Sequence, residues 1–140
     1  MALYGRILVT LDGSDVDGPL LDDVGELAAA LGATVYLLRV AHFHTRDSKA
    51  AEEDEAREDL ARAEAQLGGR GFPVETVLGR GEPADVILEQ ASALGADLIA
   101  MAPHGHNWLE RTVLGSVVDR VRHRSHLPLL FVKRRPDPEG

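Results

Sequence analysis

What most limits the fold of this chain is an alternation. Five short apolar runs, bounded by Gly, Pro or Asp, are separated by four longer stretches of helical periodicity. The runs are 4–11 (YGRILVTL), 34–40 (TVYLLRV), 72–78 (FPVETVL), 97–101 (DLIAM) and 127–132 (LPLLFV). All but the third are nearly continuous in apolar residues, the pattern of strands buried on both faces of a parallel sheet. The third alternates, with Glu75 among apolar neighbours, and holds Pro73. Proline cannot donate to a strand ladder, so this strand is expected at an edge.

The stretches between them read as helices. Over 17–31, Leu20, Leu21, Val24, Leu27, Ala28 and Leu31 recur at i, i+3, i+4 and i+7, and Gly32 follows as a stop. A second helix is expected over about 48–67, ending at Gly68 and Gly69. A third starts at Pro83, a favoured first-turn residue, and ends before Gly95. A fourth starts at Gly115 and Ser116 and ends near Ser125. The order β-α-β-α-β-α-β-α-β, with right-handed crossovers, predicts an α/β fold: one doubly wound parallel sheet of five strands with helices on both faces.

Composition narrows the function. At 140 residues the chain reads as one domain, expected over 1–135 with a polar, flexible tail at 136–140. Aromatics are only 4%, so the core must be built from Val, Leu, Ile and Ala. With no cysteine, a disulfide scaffold, a Cys-based zinc site and a cysteine nucleophile are excluded. The net charge of −8 argues against coating DNA or RNA, so no nucleic-acid partner is expected. No apolar run approaches the length of a membrane span, and the N-terminal run lacks a basic lead and a small-residue cleavage site. A cytoplasmic protein with no membrane partner is the expectation. The charge is uneven. Residues 47–64 hold eight acids and three bases, which reads as a solvated helix face or as a docking surface for a basic partner. Residues 119–135 are basic.

In an open parallel sheet, ligands bind beyond the carboxyl ends of the strands, where strand order reverses. Asp12 ends the first strand, followed by Gly13, Ser14 and Asp15. A carboxylate there can accept a bond from a ribose hydroxyl or an adenine amino group; equally, Asp-Gly-Ser is a common turn. After the fourth strand come Met101, Ala102, Pro103, His104 and Gly105, and later Gly115 and Ser116 open the last helix. Small residues let a backbone approach an anion, and helix amides then point at it, which resembles a phosphate cradle. It is neither a Walker loop nor a Gly-x-Gly-x-x-Gly fingerprint. His42 and His44, and His104 and His106, lie at this same end. No Cys or carboxylate spacing supports a metal site, and His104 or His106 beside a γ-phosphate is the better use. Trp108 lies in the same loop.

These residues carry a family resemblance over essentially the whole chain. RILVTLDGSD at 6–15, VYLLRV at 35–40, GRGEPADVILEQASALGADLIAMAPHG at 79–105 and LGSVVDRVRHRSHLPLLFVK at 114–133 resemble the universal stress protein domain. ATP-binding members of that family carry Gly-x₂-Gly-x₉-Gly-Ser/Thr. Gly105, Gly115 and Ser116 reproduce the last parts, and Ala102 replaces the first Gly. A positive φ at Ala102 would strain it by roughly 1 kcal/mol.

The resemblance implies strand order 3-2-1-4-5 and a site between the first and fourth strands. Thr10, Leu11 and Asp12 would contact adenine and ribose, and Val40 would pack on the adenine. Met101 and Ala102 would line the ribose side. Gly105, Gly115, Ser116 and Val117 would hold the phosphates of ATP or AMP, which Mg²⁺ or Mn²⁺ would accompany. The fifth strand, with Leu129, Leu130, Phe131 and Val132, would pair with its mate in a homodimer. With no nucleophile, base and orienting third group in view, the expected function is a nucleotide-binding stress sensor or signalling module acting through a protein partner. A module that binds no nucleotide and a slow ATPase are the alternatives.

Overall fold

The computed structural model describes residues 4–41, 48–103 and 116–133. The strands are β1 (Arg6–Leu11), β2 (Thr34–Ala41), β3 (Val74–Arg80), β4 (Leu98–Met101) and β5 (Leu129–Phe131). The helices are α1 (Asp17–Leu31), α2 (Lys49–Leu67), α3 (Pro83–Ala93) and α4 (Ser116–Arg124). All five strands are parallel, in the order β3-β2-β1-β4-β5. The expected fold class and strand order are therefore both found.

Each element follows from local chemistry. Helix α1 stops at Gly32, whose φ of 66° is the left-handed conformation that favours glycine, and the cap N–H returns to the Ala28 carbonyl. Helix α3 begins with Pro83, whose missing N–H costs nothing in the first turn. Strand β3 begins at Val74, two residues later than the apolar run, because Pro73 cannot donate; its carbonyl instead accepts from Val35 N–H at 2.9 Å. As expected, β3 lies at an edge. Strand β5 is the other edge, and Leu129, Leu130 and Phe131 are only half-buried, unlike the strand covered on both faces that the run suggests.

The alternation of side chains builds two cores. Ile7, Val9, Leu11, Val35 and Leu37 pack against Leu20, Leu21 and Val24 of α1 and Leu60, Ala63 and Leu67 of α2. Leu8, Tyr36, Leu38, Val40 and Ile99 pack on the opposite face against Ala84 and Ile87 of α3 and Val118 and Val121 of α4. Each fully buried Leu or Ile contributes roughly 1.5–3 kcal/mol. At the amino ends of the strands, the Asp97 carboxylate accepts from the N–H groups of Gly5 (3.0 Å) and Arg6 (3.1 Å), closing that end of the sheet. The carboxyl ends remain open.

Helix α2 corrects one expectation. Its face is not wholly solvated: Asp59 is buried, only 6% exposed, and receives Arg39 Nε at 2.9 Å. None of the helices, among the described residues, is long and apolar enough to cross a membrane.

Candidate functional site

A cavity of about 350 Å³ opens at the carboxyl ends of β1, β2 and β4. Thr10, Leu11 and Asp12 form its β1 wall, Val40 its β2 wall, and Met101 and Ala102 its β4 wall. Ser116 and Val117 bring the first turn of α4 to it. Strand β1 pairs with β2 on one side and β4 on the other, so the cavity lies where the winding of the sheet reverses. The size and the mostly apolar wall with a few polar groups suit a small organic ligand. His104, Gly105 and Gly115 lie outside the described residues, as do His42, His44, His106 and Trp108.

The expected residues fall into distinct environments. Val40 and Met101 are buried and present an apolar surface to the cavity. Asp12 is exposed. Its Oδ1 accepts from Ser14 N–H at 2.8 Å and from the Ser14 hydroxyl, so it makes the Asp-Gly-Ser turn. Its exposure at the cavity mouth makes the ligand reading of Asp12 compatible with the turn. Tyr4 is the only non-glycine with positive φ among the described residues. Ala102 therefore sits in ordinary backbone and carries no left-handed strain.

Sequence reasoning passed over several lining residues. Pro83 and Ile87 of α3 close the apolar side. Asp17, the first residue of α1, accepts from Asp12 N–H (3.2 Å) and Gly13 N–H (2.9 Å) and so pins the turn from behind. Burial pushes the Asp17 carboxyl up to about 6, the neighbouring Asp12 charge adds to this, and the two backbone N–H bonds oppose it. Arg39 lines the cavity from the end of β2 and is turned back by its bonds to the Val40 carbonyl (2.7 Å) and Asp59. One signal for it was present, a single Arg within an otherwise apolar run.

Comparison with known proteins agrees with this fold. The model of the universal stress protein family matches residues 3–133. A universal stress protein of Methanocaldococcus jannaschii is 32% identical, over 94% of this chain and 84% of the relative. The solved structure of MJ0577 from the same organism superposes with a TM-score of 0.83 at 28% identity, covering 96% of this chain and 99% of that one. A universal stress protein solved in complex with cAMP has a TM-score of 0.74 at 28% identity, covering 92% of this chain and 97% of that one. The chain, matched over nearly all its length and folded as these relatives are, belongs to the universal stress protein family.

Proposed function

We propose that the cavity binds an adenine nucleotide, ATP or AMP, and that the protein is a cytoplasmic sensor or signalling module, not primarily a catalyst. One observation carries the reading: a reversal-point cavity of about 350 Å³ places an exposed carboxylate (Asp12), an apolar wall (Val40, Met101) and a helix start (Ser116) around one space. The carboxylate suits ribose hydroxyls, the apolar wall suits a purine face, and the first-turn amides of α4 suit phosphate. That a relative at 28% identity was solved with cAMP supports the same ligand class. Both oxygens of Asp17 and Oδ1 of Asp12 accept the bonds that shape the turn, an arrangement suited to holding a ligand.

Titration calorimetry with AMP, with ATP and with ATP plus Mg²⁺ tests the proposal, and the last two separate nucleotide affinity from any metal dependence. Binding is expected for the parent protein. Asp12→Ala is expected to weaken it about tenfold or more, the loss of a hydrogen bond to a charged acceptor. Purified protein that releases no nucleotide on denaturation and gives no heat with any of the three would overturn the reading.

We also propose that the β5 edge pairs with a second copy of the chain. The support is its position at the sheet edge, with Leu129, Leu130 and Phe131 half-buried and Val132 buried beside them.

A further inference from the structure

Behind the cavity wall, α2 presses on the turn that the ligand would meet. Gly13 has a φ of +80°, and a Cβ placed on it would lie 2.5 Å from Asp59 Oδ2 and 3.2 Å from an Arg39 guanidinium nitrogen. The Arg39–Asp59 pair is thus seated directly against the Gly13 backbone. Asp59 is held from both sides: Oδ2 accepts from Arg39 Nε at 2.9 Å and Oδ1 from Arg62. A second contact joins α2 to α1, where Gln66 Nε2 donates to the Gly18 carbonyl (3.1 Å) and to Asp22 (3.0 Å).

Asp59 does not line the cavity, and Arg39 lines it with its guanidinium turned away toward Asp59. A buried ion pair is weak support for stability in itself, and removing one partner leaves the other buried and uncompensated. Its position here has a specific consequence. Glycine leaves room for the pair at position 13, and its backbone freedom there is limited both by the Gly13 N–H bond to Asp17 and by the pair packed against it. The pair supplies the missing wall.

We infer that Arg39 and Asp59 are positioning residues of the site: their ion pair, packed under Gly13, holds the Asp12–Gly13–Ser14 turn in its binding shape and makes α2 a structural part of the ligand site. The ligand part of this inference rests on the proposed nucleotide binding; the turn part does not. Thermodynamic reciprocity then requires that a ligand engaging the turn also stabilise α2.

The test uses Asp59→Asn, which keeps the shape of the side chain, Arg39→Met, and the double variant. Val35→Ala, in the core at the far end of β2, reports what a merely destabilised protein loses. Residue-resolved amide exchange by NMR reads the turn without any ligand, and calorimetry with AMP reads the site. Exchange at Gly13 and Ser14 is expected to be about tenfold faster in each single variant than in the Val35→Ala control, and AMP affinity about tenfold weaker. The double variant is expected to lose no more than the worse single variant, because the two residues act as one unit. Unchanged exchange at Gly13 and Ser14 overturns the inference whether or not the protein binds nucleotide. Faster exchange with undiminished AMP affinity overturns the role in ligand binding. A parent protein that binds no AMP refutes the nucleotide reading and, with it, the ligand part; the exchange result still decides the turn.

Discussion

Asp17 sits where burial and hydrogen bonding pull a carboxyl in opposite directions, and burial wins, pushing it up to about 6 from 3.8. The folded protein therefore keeps this proton over a pH range in which the unfolded chain has released it. Its stabilising contribution is full below about pH 4 and is lost as pH rises through 6. Asparagine mimics the protonated form at all pH values. The stability of Asp17→Asn relative to the parent is thus expected to rise by on the order of 1–2 kcal/mol between pH 4 and pH 7, allowing for partial solvent screening. Denaturant unfolding across that range measures it, and a difference independent of pH would contradict the assignment. The same side chain shows the limit of reading single residues. Its place five positions after Asp12 was plain, but its two backbone donors were not, because they depend on how the Asp12–Ser14 turn folds back on α1.

At the scale of elements, the contact between α3 and the edge strand β3 hangs on a missing side chain. A Cβ at Gly79 would lie 2.5 Å from Val86 Cγ1 and 3.2 Å from Leu38 Cδ1, so the helix lies close on the strand only because position 79 is glycine. Gly79→Ala is expected to cost about 1–3 kcal/mol by overpacking, read as a lower midpoint of thermal unfolding. An unchanged midpoint would mean that α3 shifts freely on the sheet. The helices also illustrate which signals survive in a sequence. The extents of α1 and α3 were legible from Gly32 and Pro83, since stops and starts are properties of a few neighbouring residues. The burial of Asp59 within an acid-rich helix was not legible. Charge composition averages over a helix, whereas burial depends on the one residue that happens to face Arg39.

At the scale of the whole molecule, the sheet has two edges of different character. Strand β3 exposes Glu75 and Thr76, polar groups that discourage further pairing. Strand β5 offers half-buried Leu129, Leu130 and Phe131 beside its single described neighbour, β4. Sedimentation equilibrium is expected to give twice the chain mass of 15.1 kDa, and Leu130→Asp is expected to shift the protein toward the single-chain mass. A parent protein that stays at the single-chain mass at high concentration would rule out the β5 pairing.

The order of strands and helices, the parallel sheet, the edge position of β3 and the apolar faces were determined by the sequence alone. They follow from periodicity and from Gly and Pro punctuation, which act over a few residues. Asp12, Met101 and Ser116 stood out by their places after strands and at a helix start, whereas the strand order and the place of Val40 came from the family resemblance. The structure gathers all four around one cavity because every strand in a parallel sheet ends on the same side. Only the tertiary structure decided what stands behind that cavity. Arg39 and Asp59 are 20 residues apart, and their meeting under Gly13 depends on the β1–β2 register and on how α2 rests on the sheet. Register and helix placement come from packing summed over the whole core, so no local pattern in the chain records them.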